Sequence, residues 1–163
     1  MKKLIGLLVV FAVAATMAYA ADDVTATGEA KAKIIQAATL THETGALDFG
    51  TIIPGASAGT STVAASASPS PNDSNLGGRV GNTVTADHFT LANLDTATTY
   101  TVSVPASVNI SNGSETMTVD LNASPTSVNG TATQAIYVGG VLHVGASQAV
   151  GSYSANYTMT VTY

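Results

Sequence analysis

The last thirteen residues alternate without interruption. The odd positions hold Gly151, Tyr153, Ala155, Tyr157, Met159, Val161 and Tyr163, and the even positions hold Ser152, Ser154, Asn156, Thr158, Thr160 and Thr162. Successive side chains of an extended chain point to opposite sides, so this pattern gives a long strand with one apolar and one wet face. A chain that ends this way is built from sheets.

The same period recurs upstream in shorter runs. Leu47, Phe49, Thr51 and Ile53 alternate before Pro54-Gly55, Phe89 and Leu91 before Asn93, and Tyr100, Val102 and Val104 up to Pro105. Val108 and Ile110 lead into Ser111-Asn112-Gly113-Ser114, after which Met117, Val119 and Leu121 alternate again. Asn-Gly between two alternating runs predicts a hairpin, because both residues tolerate the positive φ of a tight turn. Asn129-Gly130 precedes the run from Ile136 to Val138, and Gly139-Gly140 separates that run from Leu142 to Val144 as either a turn or a bulge. No segment beyond the N-terminal apolar run sustains a 3.6-residue period. Short strands at this spacing predict an all-β, Ig-like antiparallel sandwich. Residues 57–81 are rich in Ala, Ser and Pro, and Pro69-Ser70-Pro71-Asn72-Asp73-Ser74-Asn75 reads as a long exposed loop.

Domain organisation follows from the N-terminus. Met1-Lys2-Lys3 is basic, Leu4 to Met17 is almost wholly apolar, and Ala18-Tyr19-Ala20 is a small-x-small site. This is the pattern of a secretory signal peptide, a helix cleaved after Ala20. The apolar run is shorter than the roughly 20 residues that span a bilayer. The expectation is a signal over residues 1–20 and one domain over 21–163, soluble in the periplasm or outside the cell, with membrane contact only through the signal.

Composition narrows the function. Charged residues are 9% of the chain, and polarity comes from Thr and Ser at 39 positions. After the signal, three cations (Lys31, Lys33 and Arg79) stand against ten acids, a net charge of −7. Such a chain has no footprint for phosphate backbones, which excludes nucleic acid and anionic head groups as natural partners. The absence of Cys removes disulfides, thiolate metal sites and Cys nucleophiles.

Candidate chemistry is thin. Gly55-Ala56-Ser57-Ala58-Gly59 matches G-x-S-x-G, but a nucleophile elbow needs a helix after the Ser, and Thr60-Ser61-Thr62-Val63 reads as strand or loop. His42, His88 and His143 are far apart, and Asp87-His88 lacks a convergent third ligand. His143 falls on the wet face if Leu142 and Val144 are buried. Asp73 in its Asn-rich stretch lacks the acid spacing of a calcium loop. Tyr153, Tyr157 and Tyr163 could stack on a sugar, but their alternation with Met159 and Val161 favours core packing. No catalytic residue, cofactor or metal site is expected.

One further segment alternates. Val24, Ala26, Gly28, Ala30, Ala32 and Ile34 share one face, opposite Thr25, Thr27, Glu29, Lys31 and Lys33. These residues are either the first strand of the domain, paired in its own sheet, or a strand donated to a neighbouring subunit. Edge pairing gives affinity through main-chain hydrogen bonds and specificity through alternate side chains.

Two elements carry a resemblance. Leu47-Asp48-Phe49-Gly50-Thr51-Ile52 and Gly139-Gly140-Val141-Leu142-His143-Val144-Gly145, followed by Gln148 and Gly151-Ser152-Tyr153, resemble the L-x-F-G-x-I and G-G-x-L-x-V-G-x-x-Q-x-x-G-x-Y motifs of a secreted bacterial family. That family is domain of unknown function 4402. The resemblance implies an Ig-like or pilin-like sandwich and brings no catalytic residues with it. The final strand also looks like that of chaperone-usher pilins, although Tyr163 is the last residue and their disulfide is absent.

The functional expectation is a non-enzymatic structural protein of the bacterial surface or periplasm, a fimbria-like or coat subunit. It would self-associate or pair with homologous subunits, with a periplasmic chaperone as a further partner. The donated strand would be Val24, Ala26, Gly28, Ala30, Ala32 and Ile34, and one acceptor wall would be Gly151, Tyr153, Ala155, Tyr157, Met159, Val161 and Tyr163. The alternatives are a glycan-binding module using the loop from Pro69 to Asn75, and a hydrolase using Ser57.

Overall fold

The computed structural model describes residues 23–163, so the expected signal peptide, residues 1–20, lies outside them. The chain divides into two units, the first ending at Lys33 and the second running from Ile34 to Tyr163. Residues 23–33 are exposed and have no regular secondary structure, and Lys31 meets Glu29 there at 2.9 Å. The first strand expected over residues 24–34 does not form. Positions 26, 28, 30 and 32 are Ala or Gly, so the segment has little apolar surface of its own to drive pairing within one chain.

The second unit contains β1 (Thr39–His42), β2 (Thr51–Ile53), β3 (Gly59–Val63), β4 (Pro71–Ser74), β5 (Gly78–Val80) and β6 (Asp87–Ala92). There follow β7 (Tyr100–Ser103), β8 (Ser107–Ser111), β9 (Thr116–Ser124), β10 (Ser127–Val128), β11 (Thr133–Val144) and β12 (Thr160–Thr162). Every pairing is antiparallel, and no helix occurs among the described residues. The molecule is the expected all-β sandwich.

Strand β11 organises the larger, seven-stranded sheet. One of its edges pairs with β6 over residues 133–138 and then with β3 over residues 140–144, while its other edge pairs with β9 over 137–143. Strands β1, β4 and β8 flank β6, β3 and β9 respectively. Gly139 marks the handover from β6 to β3. A Cβ there would collide with the Val63 carbonyl oxygen and the Ala65 nitrogen, because β3 ends against it. Gly139-Gly140 is therefore neither a turn nor a bulge separating two runs. It is a close backbone approach inside one strand.

The second sheet has the order β10-β7-β12, and β2 and β5 form a separate pair. Phe89, Leu91, Ile136 and Val138 from the large sheet pack with Tyr100, Val102, Val128 and Met159. Fully burying a side chain of this size contributes roughly 1.5–3 kcal/mol, so this layer and a second cluster around Phe49, Val63, Val119 and Leu142 hold the sandwich. The hairpin between β8 and β9 forms as expected, with Gly113 at φ 97° and the Asn112 side chain accepting from the amides of Ser114 and Glu115.

Two expectations need correction. Residues 57–81 hold three strands, and the stretch from Pro69 to Asn75 carries β4 rather than a long loop. The C-terminal alternation does not make one long strand either. Only Thr160–Thr162 is laddered, and Ser154 makes an isolated bridge to Ser111. Burial still alternates: Tyr153, Tyr157 and Val161 are half-buried and Met159 is buried, whereas every even position from 152 to 162 is exposed. Gly151, Ala155 and Tyr163 break the apolar set by remaining exposed.

Candidate functional site

A groove of about 430 Å³ lies between the β1 edge and the unladdered residues 155–159. Leu40 and His42 of β1 and the following Leu47 form one wall, Asp87 and Phe89 of β6 reach its floor, and Ala155 to Met159 form the other wall. Both walls are open edges. Among the described residues, strand β1 pairs only with β6, and the backbone of residues 155–159 makes no hydrogen bond to another backbone group.

The floor is clasped by one carboxyl group. Asp87 stands in phase with Phe89 and Leu91 on the inward side of β6 and is 4% exposed. Buried carboxyls require hydrogen bonds, and Asp87 has three. The Tyr157 hydroxyl donates to Oδ2 at 2.5 Å, His42 Nε2 lies 2.7 Å from Oδ1, and the His88 amide donates to Oδ1 at 2.9 Å. The Asp87–Tyr157 bond ties β6 to the C-terminal segment across the seam. Burial, and next the hydrogen bond to Asp87, push the Tyr157 phenol far above its ordinary range, so it stays a donor. His42 lies over Phe89 with centroids 4.7 Å apart, and the Phe89 and Tyr157 rings meet edge to face at 6.4 Å.

A second polar cluster is closed. Arg79, on β5, donates through Nε and Nη2 to both oxygens of Asp73 at 2.9 and 2.7 Å, and through Nη2 to Ser61 Oγ at 2.6 Å. Its Nη1 donates to the Phe49 carbonyl. The Arg79 guanidinium holds the Asp73 carboxyl below its usual range. Asp73 is thus a structural partner that joins β4 to β5. Gly50, at φ 71°, packs under the same arginine, and its amide donates to Asp48 Oδ1 at 2.7 Å.

The second motif is also structural. The Gly145 amide donates to Gln148 Oε1 at 3.1 Å, Gln148 Nε2 donates to the Tyr153 hydroxyl at 3.1 Å, and that hydroxyl donates to the Ala149 carbonyl at 2.8 Å. This relay shapes the connection from β11 to the C-terminal segment. A Cβ on Gly145 would lie 2.7 Å from Gln148 Oε1.

Sequence candidates fall into separate places. Ser57 is exposed in a bend between β2 and β3, with no helix after it, so the elbow geometry is missing. His143 is exposed between buried Leu142 and Val144, as expected, and its Nε2 lies 2.8 Å from Asp120 Oδ2. His88 stacks on Tyr137 at 4.8 Å. Tyr153 belongs to the relay, Tyr157 to the clasp, and Tyr163 lies against Tyr100 at 5.0 Å, so the three tyrosines make no common platform. No cluster of three His, Cys, Asp or Glu able to hold a metal occurs among the described residues. Of the expected acceptor wall, the groove uses Ala155, Tyr157 and Met159. Val24 and Ile34 of the expected donor are 96% and 94% exposed.

Sequence reasoning missed the clasp. The available signal was Asp87 itself, a carboxyl in the apolar register of β6.

Fold and groove define an antiparallel β-sandwich domain with an open seam. The chain belongs to the family described as Domain of unknown function (DUF4402), which matches residues 39–163. No curated protein and no solved structure matches it.

Proposed function

We propose that the chain is a non-enzymatic structural protein of the bacterial cell surface or periplasm, a fimbria-like or coat subunit that assembles by edge-strand pairing. The observation that carries this reading is the segment 155–159, where Tyr157 and Met159 leave water and Asn156 and Thr158 stay exposed, while among the described residues its backbone hydrogen-bonding groups go unladdered. Unpaired strand edges are templates for another chain, and neither β1 nor residues 155–159 carries the Lys or Pro that commonly blocks such edges. Residues 24–34 supply an exposed alternating segment outside the matched domain. The protein is exported, and a periplasmic chaperone would cover the edge before assembly.

The test is native mature protein on an SDS gel, unheated beside heated, with native sizing of the same sample. A ladder that collapses to one band on heating is expected. A single monomer band in both lanes, with a monomer mass on sizing, would overturn the proposal.

A further inference from the structure

Resting on that reading, we infer that the outer edge of β1 is a two-fold contact, pairing antiparallel with the β1 edge of a second copy of this chain and centred on Thr41. Hydrogen-bond parity shows what the edge offers. The Glu43 amide donates to the His88 carbonyl at 2.9 Å, and the neighbouring His42 stands opposite Phe89. Hydrogen-bonded and non-hydrogen-bonded positions alternate along an antiparallel pair, so residues 39, 41 and 43 direct their backbone groups at β6 while Leu40 and His42 turn theirs outward. Among the described residues no other backbone group meets those of Leu40 and His42.

The large sheet ends in β1, β4 and β8, and β1 is the least guarded of the three. Strand β4 begins with Pro71, which has no amide to donate, and β8 is met at Ser111 by two backbone hydrogen bonds with Ser154. Strand β1 reads Thr39-Leu40-Thr41-His42, with no Pro, Lys or carboxylate to block pairing. Homo-oligomers close most often through a two-fold, self-complementary patch of this kind.

One register uses both outward residues within the strand. Centred on Thr41, Leu40 faces the partner's His42 and His42 faces the partner's Leu40, and each of these pairs exchanges both of its hydrogen bonds. Moving the centre to Leu40 or His42 leaves one such pair inside β1, and a centre between residues opposes an outward position to an inward one. The side chains agree. On the inner face Leu40, 36% exposed, covers the partner's His42, a ring that lies over Phe89 at 4.7 Å. On the outer face the two Thr41 side chains meet, a favourable cross-strand pair. Glu43 stands opposite the partner's Thr39, and the two Glu43 positions are separated along the ladder by about 13 Å, beyond the ~10 Å screening length in 0.1 M salt. A two-fold contact closes on two copies, so longer species in the ladder require a further edge.

The absence of native Cys makes an engineered cross-link unambiguous. Facing residues of a non-hydrogen-bonded pair lie about 4.5 Å apart at Cα, within disulfide range. The full mature chain carrying Thr41→Cys is expected to oxidise to a covalent dimer on a heated, non-reducing gel. Thr39→Cys, about 13 Å from its own copy along the ladder, should stay a monomer band under the same treatment. Leu40→Pro removes an outward amide without touching the β6 hydrogen bonds of residues 39, 41 and 43, and should lower the two-copy species on native sizing at least tenfold with the far-UV circular dichroism unchanged. Should Leu40→Pro fail to fold, the two cysteine variants decide by themselves. A wild-type chain that assembles while Thr41→Cys gives no cross-link, or cross-linking of Thr39→Cys equal to that of Thr41→Cys, overturns the β1 contact and leaves the assembly reading standing. The absence of any wild-type assembly overturns both.

Discussion

Every residue of β11 has a register partner on at least one side, and residues 137, 138 and 140–143 have partners on both. Burial alternates in residues 156–159 as well, yet residues 155–159 have no ladder among the described residues. The two segments separate what a period of two is often taken to mean as one thing. Alternation selects which side chains leave water, a consequence of apolar area. Ladder formation needs a neighbouring strand at about 4.8 Å, and that depends on the remainder of the chain. β11 has such neighbours on both edges, whereas the C-terminal segment is held by side chains: Tyr157 on Asp87, Met159 in the core, and Tyr153 through Gln148.

Hydrogen exchange offers the largest contrast. In the monomer, amides of β11 should exchange only with global opening, and those of residues 155–159 should exchange about 10³-fold faster or more, given typical domain stabilities. Equal protection by mass spectrometry would break the comparison. Protection of residues 155–159 that appears only in assembled material would sharpen it. Next in size is Gly139→Val, which drives a side chain into the end of β3 and should cost about 3 kcal/mol in urea unfolding. Ala155→Val, on the open wall, should stay within about 0.5 kcal/mol. A small cost at Gly139 would show that β11 yields at its handover point. A smaller effect than at Gly139 belongs to the connector between the two segments. Gln148→Ala removes two hydrogen bonds near the surface and should cost about 1 kcal/mol, read from the same unfolding curves. A loss several times larger would mean that the relay, rather than core packing, holds the C-terminal segment in place.

Particular residues show what could be read in the sequence. Asn112-Gly113 announces the β8–β9 hairpin because the turn is local, and the alternation of Phe89 with Leu91 announces β6 because the core is apolar there. Residues 57–81 hid three strands because one of their two buried positions is Ser61, fully enclosed and partnered by Arg79 from 18 residues away. Polarity there looks like a loop until the arginine is in place. The clasp was hidden for the same reason. Asp87, His42 and Tyr157 lie 45 and 70 residues apart, and only strand register and sheet packing bring them together. Gly139-Gly140 was visible as a pair, but the meaning of its small size depends on where β3 ends.

Strand β11 also governs the order in which the molecule can be made. Before residue 133 is available, a partial chain can join β1 to β6, β2 to β5, β3 to β4, β7 to β10 and β8 to β9. Those pieces have nothing to bind them into one sheet until β11 arrives and closes long loops back to β3 and β6. Closing such loops costs entropy before any contact repays it, which places this topology among slow folders. During that interval β3, β6 and β9 wait with a free edge each, and the β11 of any other unfinished chain competes for them.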